Sequence, residues 1–378
     1  MKYILKVLAW TLAATLTATG CSSPADPSAH AIFYRALQEK PLAEFPPENI
    51  AERSFVLFDD ADPDFLFATM NSVKLYGERI YVLTRPRINA SRLLVFDRQG
   101  HGLLAIDRTG QGPEEYTQIS RFDVDRAGNI HIIDGRLDEL IVYGPDGTFV
   151  RRQKLPYEVD DIRCLPGGDY LFVLCNWNTR QYPGRKAVVA TPDLTVKADY
   201  FQYGPDLDFN VILHSNTLSA TPDGGAVLCE SMNDCLYRFD AQGRLADSLR
   251  VDFGNRTIPE AGKSDVERNI WQNASYQCLS GLNTLIGDFV VGQMYSRRGF
   301  SYLIDRNAGI IYTDKGEKYD DALSFIVGFT PDGAILSVVS PEMHRLDTAT
   351  NVPDEVKHHI AEDNFALCIT QLKYPHKK

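Results

Sequence analysis

The chain has 378 residues, of which 44% are hydrophobic, 24% charged and 11% aromatic, with a formal charge of −11. That composition excludes wholesale disorder and collagen-like structure. An acidic balance also argues against general electrostatic binding of nucleic acid.

Residues 1–20 read as a signal peptide: Lys2 and Lys6 precede an apolar run from Val7 to Ala18, and small residues lead into Cys21. The run is too short for a confident membrane span, and no later stretch is long enough. The segment resembles a bacterial lipobox, which implies that Cys21 is diacylated and becomes the mature N-terminus; ordinary cleavage nearby is the alternative. Residues 21–50 are rich in Ser, Pro, Ala and Glu, and are expected to form a lipid-anchored tether with one helical turn near Phe33 to Gln38. The six remaining cysteines fit no zinc spacing and are read as buried thiols, although Cys229 and Cys235 could face each other across a hairpin.

From about Phe55 the texture becomes short β-branched and aromatic runs separated by turns, the pattern of an all-β protein. Two sets of turns recur. One includes Gly128-Asn129, Gly167-Gly168, Gly224-Gly225 and Asp332-Gly333; the other includes Asp97 to Gly100, Asp146-Gly147, Asp240 to Gly243 and Asp305 to Gly309. A four-stranded unit returning every 40–50 residues or so marks a β-propeller blade. Residues 51–378 therefore divide into six antiparallel blades near 66–108, 119–156, 159–203, 215–253, 275–315 and 323–372. The strand near Ser54 to Phe58 is left over and is expected to complete the last blade, closing the ring. An insertion at 255–273 carries helical spacing at Val266, Ile270 and Trp271.

Blade two contains Gly110, Gly112, Pro113, Glu115 and Tyr116, followed by Gly128-Asn129, Asp134 and Gly147-Thr-Phe149. This resembles the NHL repeat. The chain as a whole is similar to the six-bladed propeller lipoproteins of gut Bacteroidetes, which also carry a counterpart of Glu362-Asp363-Asn364 before the last strand. The resemblance implies the fold and export to the cell envelope, at the outer membrane on its periplasmic or surface side. It implies no catalytic residue.

Standard catalytic signatures fail. Gly110-x-Gly112 lacks the third glycine of a dinucleotide loop, and Gly262-Lys263-Ser264 lacks the first glycine of a phosphate loop. Asp60, Asp62 and Asp64 alternate as in a calcium loop, but Phe65 stands where its glycine belongs, so calcium is only a minor reading and no cofactor is expected. Glu114-Glu115 reads as an inter-blade loop rather than an acid–base pair, and His358-His359 as a solvated pair. Topology offers a better lead, because loops joining second to third strands gather on one face of a propeller. Here they bring Arg85, Trp177, Arg180, Tyr182 and Arg297 toward one mouth. Arginine grips carboxylate, sulfate or phosphate, and Trp and Tyr stack, which suits an anionic or carbohydrate-like ligand. The expectation is a monomeric envelope module that binds a glycan or peptide. The alternatives are a metal-assisted hydrolase or lyase with its site in the channel, and a structural partner of an outer-membrane uptake complex.

Overall fold

The computed structural model describes residues 31–58, 62–87, 90–204, 217–230, 232–273, 275–296, 298–314, 322–341 and 351–373. Their strands form six sheets arranged as the blades of a propeller. Blade one is β4 (Ser72–Tyr76), β5 (Arg79–Arg87), β6 (Ala90–Phe96) and β7 (Gly102–Ile106). Blade two is β8 (Arg121–Val124), β9 (Ile130–Asp134), β10 (Glu139–Tyr143) and β11 (Phe149–Lys154). Blade three is β12 (Val159–Cys164), β13 (Tyr170–Leu174), β14 (Arg185–Ala190) and β15 (Val196–Gln202). Blade four is β16 (Leu218–Ala220), β17 (Ala226–Leu228), β18 (Cys235–Phe239) and β19 (Leu245–Asp252). Blade five is β20 (Cys278–Ile286), β21 (Phe289–Ser296), β22 (Arg298–Asp305) and β23 (Ile310–Thr313). Blade six joins β24 (Ile326–Phe329), β25 (Ala334–Val339) and β26 (Ala366–Leu372) to the early strand β3 (Ile50–Leu57). The leftover strand thus closes the ring as expected, pairing antiparallel with β26 from Leu57↔Ala366 to Ile50↔Leu372.

The recurring turns work through their aspartates. Asp97 accepts from the amides of Gln99 and His101, Asp125 from Ala127 and Asn129, and Asp240 from Gln242 and Arg244, every contact at 2.9 Å. Each carboxylate satisfies two amides that the reversal leaves outside the ladder. Gly100 is needed twice over: its φ is +92°, and a Cβ there would lie 2.0 Å from the carbonyl oxygen of Leu57 in the closing strand.

Apolar side chains fill the space between successive blades. Tyr81, Leu93, Ile132 and Tyr143 pack between blades one and two, and Phe172, Val188, Ile133 and Leu140 between two and three. Because the backbone ladders stop at blade edges, side chains make many of the polar connections from blade to blade. Asp123 of blade two takes Lys74 of blade one at 2.8 Å, and from blade three Arg163 at 3.2 Å and the Cys164 amide at 2.7 Å. Burial pushes its carboxyl up, but the Lys74 and Arg163 charges outweigh that and hold it below the usual range. Asp161 of blade three likewise accepts from the amides of Thr217 (2.8 Å) and Leu218 (2.9 Å) at the start of blade four.

The blade-two motif is an inter-blade device of the same kind. Tyr116 is fully buried, its hydroxyl 2.8 Å from the Ser91 carbonyl and 2.9 Å from that of Ile106. Glu115 folds back to accept from the Gly112 amide at 2.7 Å, and a Cβ at Gly110 would meet its carboxylate at 1.9 Å. Glu114 pairs with Arg108 at 3.3 Å. Asp134 caps the turn after β9 by accepting from the Arg136 amide, and also holds Thr117 of the preceding connection.

The N-terminal segment departs from expectation. Residues 31–50 do not hang from the ring as a tether: β1 (Ala31–Phe33) adds to blade four parallel to β19, and β2 (Gln38–Pro41) adds to blade five parallel to β23. The expected helical turn is a 3-10 turn, Tyr34–Ala36, between them. The physical reason is burial: Tyr34 enters the core between blades four and five, and Leu42 and Phe45 enter the one between five and six. The 255–273 insertion is built of 3-10 and π-helical turns, with Val266 and Ile270 buried as their spacing suggested. Between β25 and β26 lies a helix the sequence reading omitted, α1 (Asp354–Ala361), which buries Val356 and Ile360.

Two truncations should separate closure from buttressing. A chain beginning at Glu48 keeps β3 and should remain monomeric, with Tm lowered by at least about 5 °C through loss of three buried side chains. A chain beginning at Asp62 lacks β3, leaves the outer edge of β26 unpaired, and should aggregate. Size-exclusion chromatography and thermal unfolding distinguish the two.

Candidate functional site

The propeller axis is nearly filled. Its cavity, lined by Lys74, Asp123, Arg163, Ser219, Leu282 and Phe329 among others, holds ≈ 40 Å³. That is room for a few water molecules. Among the described residues, no group of three or more His, Cys, Asp or Glu could hold a metal ion. Of the alternating aspartates, Asp62 caps a 3-10 turn through the Asp64 amide at 3.0 Å, and Asp60 lies outside the described residues.

A larger space, ≈ 260 Å³, opens on the face that carries the second-to-third-strand loops, between blades three and four. Its floor comes from strand ends: Asp160 of β12, Leu174 of β13, Lys186 of β14 and Gln202 of β15. Trp177 stands at the rim with 38% of its surface exposed, and Tyr203 lines the wall. Blade four contributes Glu230, Met232 and Asn233, and the insertion contributes Glu260 and Lys263.

Charges in this cavity are paired before any ligand arrives. Lys186 contacts Glu230 at 2.7 Å, and Lys263 contacts Glu260 at 2.7 Å. Asp160 meets Arg121 of blade two at 3.5 Å and keeps 27% of its side chain exposed. Burial, reinforced by the Asp161 and Glu230 carboxylates and opposed by Arg121, pushes the Asp160 carboxyl up to about 6. Two acceptors remain open: Glu230 Oε1 and Asn176 Oδ1 are buried with no hydrogen-bond partner among the described residues. The Tyr203 hydroxyl, which lies against Glu230, donates instead to the Leu174 carbonyl at 2.8 Å.

Of the five side chains expected at one mouth, Trp177 lines this cavity. Arg180 is turned toward carboxylates, 2.7 Å from Asp138 and 3.9 Å from Glu158. Arg85 donates to the Ile119 and Ser120 carbonyls at 3.3 Å, tying blade one to blade two. Tyr182 adopts φ +57° and packs edge-on against Tyr157 between blades two and three. Arg297 lies outside the described residues. Asp160, Lys186, Tyr203 and Glu230 were not expected from the sequence, and Lys263 entered there only through a phosphate-loop pattern that lacks its first glycine. A signal existed in Asp160-Asp161, two adjacent acids near the start of β12: Asp161 turns to the amides of blade four while Asp160 lines the cavity.

Fold and cavity together define a six-bladed β-propeller with a polar pocket on its loop face. Residues 61–364 match the domain of unknown function DUF4934, and the chain belongs to that family. A similar fold occurs in a Bacteroides fragilis protein described as exported, with TM-score 0.68 and 16% identity over 89% of this chain and 99% of that one. A DUF4221 member from Bacteroides vulgatus is 11% identical over 86% of this chain and 99% of that one, with TM-score 0.45. The virginiamycin B lyase of Staphylococcus aureus is 10% identical over 84% and 99%, with TM-score 0.43. These two superimpose too loosely to inform on this chain. No curated protein matches the sequence. Among the described residues, no helix is long and apolar enough to cross a membrane.

The raised Asp160 carboxyl gives a pH test. Its stability contribution is fully present below the ordinary aspartate value of 3.8 and is lost as pH rises through about 6. Asp160→Asn should therefore be more stable than the parent at pH 7.5, by roughly 1–3 kcal/mol, and near parity at pH 4. Urea unfolding at both pH values measures this; an equal difference at the two would contradict it.

Proposed function

We propose that this protein is an exported envelope module that binds a hydroxyl-rich, carbohydrate-like ligand in the cavity between blades three and four. One observation carries the reading: an exposed Trp177 lines the same cavity as two buried acceptors, Glu230 Oε1 and Asn176 Oδ1, that have no hydrogen-bond donor among the described residues. A buried acceptor left open costs about 1–3 kcal/mol, so the favoured occupant brings donors to it. Sugar hydroxyls are such donors, and the apolar face of a sugar ring suits stacking on indole. The lysines of the cavity and Arg180 are already paired with carboxylates, which favours a neutral ligand over the anionic one.

The test is a thermal-shift screen of neutral and anionic glycans, followed by calorimetry. Neutral glycans should bind, and Trp177→Ala should weaken them ten- to a hundredfold, the equivalent of about 1.4–2.8 kcal/mol, with Tm unchanged. Hits confined to polyanions, or wild-type affinity in the variant, would count against the reading.

Anchoring belongs to the same proposal and rests on the sequence around Cys21. The described fold begins at Ala31, ten residues later, a span of at most about 36 Å when fully extended. Cys21→Ser should move the protein from the membrane fraction to the soluble periplasm of a diderm host. Unchanged retention in membranes would place the anchor elsewhere.

A further inference from the structure

The Trp177 cavity has a neighbour. A second cavity of ≈ 340 Å³ lies on the far side of Met232, Asn233, Glu260 and Lys263, and these four residues line both spaces. Its own walls come from blade four, the insertion and the start of blade five, and include Asp234, Arg250, Thr257 and Gln277. The partition between them is loop and a single 3-10 turn, Glu260–Ser264, with Asn233 bridged to Leu279 of β20.

The partition is anchored from both sides: Met232 packs with Ile258, Val266 and Ile270, and the Asn233 bridge ties it to β20. Glu260 pairs with Lys263 on the same turn, and a Cβ on Gly204 of the opposite wall would lie 2.9 Å from its Oε2. Met232 takes φ +60°, with its amide donating to the Leu279 carbonyl at 3.1 Å. Asn233 links the two sides, donating from Nδ2 to Glu230 Oε2 at 3.4 Å in the first cavity.

The chemistry of the second cavity matches that of the first apart from the aromatic platform. Arg250 pairs with Asp234 at 2.8 Å, and Thr257 Oγ1 is buried with no hydrogen-bond partner among the described residues. Two thiols line it as well, Cys235 and Cys278. Burial pushes both up to about 12, so they stay protonated and supply no nucleophile near neutral pH.

Resting on the carbohydrate reading above, we infer that the two cavities are adjacent subsites of one cleft, and that the ligand is a linear oligosaccharide rather than a single sugar. One unit stacks on Trp177, and the next crosses the Glu260–Lys263 partition to hydrogen-bond with Arg250, Asp234 and Thr257. The shared wall supports this: Met232, Asn233, Glu260 and Lys263 line both spaces, so a chain lying over them reaches from the first cavity into the second.

Calorimetry on the full chain with cello-, malto- and xylo-oligosaccharides of one to four units tests the inference. At least one series should bind, with the disaccharide or trisaccharide at least tenfold tighter than its monosaccharide. Thr257→Val removes only an unpartnered hydroxyl and should erase most of that gain while leaving monosaccharide affinity unchanged. Arg250→Gln should do the same, whereas Trp177→Ala should weaken every length. If monosaccharide and trisaccharide bind equally, or Thr257→Val and Arg250→Gln both keep the length dependence, the second subsite is refuted and the first stands. If no glycan of any length binds, or an extended tetrapeptide binds in their place, the carbohydrate reading falls and the cleft falls with it.

Discussion

A propeller is a circle, and everything in this fold depends on the circle closing. Each blade satisfies its backbone internally, so no continuous ladder runs around the ring. Closure therefore rests on one strand pair, β3 with β26, which makes blade six from the two ends of the described chain. Elsewhere the blades are joined by packed side chains and by buried carboxylates that reach across the gaps. Asp123 is the clearest case, since one carboxylate holds a lysine from one side and a guanidinium and an amide from the other. Its charges are costly to bury singly, but together they satisfy one another and fix the spacing of three blades.

The architecture was legible because its signals are local. An aspartate that binds amides two and four residues on, with a glycine at positive φ, needs no knowledge of the rest of the chain. That unit and the related glycine turns located all six blades to within a few residues. The N-terminal strands were not legible for the opposite reason. β1 and β2 are three and four residues long, and their partners lie more than two hundred residues away. Only Tyr34, Leu42 and Phe45 hinted at burial, within a segment whose prolines and glutamates spoke for a linker.

The candidate site was half legible. Topology led to the face on which the cavity opens, and Trp177 lines that cavity. The arginines misled because sequence shows a guanidinium but not its neighbour. Arg180 meets Asp138 from a different blade, and Arg85 meets carbonyls of a connection between blades. Such partners are set by the ring and not by the loop. The residues that do line the space sit at strand ends and in the connections beyond them, and at the bulge in β12 Asp161 faces a neighbouring blade while Asp160 faces the cavity. A face that looked cationic in sequence is consequently one of internal pairs and open acceptors.

The placement of β1, β2 and β3 has a consequence for how the molecule comes into being. All three partners of these strands, β19, β23 and β26, lie in the second half of the chain. The first strands to leave the ribosome are therefore among the last to find their places. Blades one to three can form from contiguous sequence as they emerge, whereas residues 31–57 must stay unpaired until blades four, five and six exist. Contacts of such high sequence separation slow the final step and leave the early segment open to proteases and chaperones meanwhile. An interrupted product cannot imitate the finished one, because the ring stays open until its end has been made.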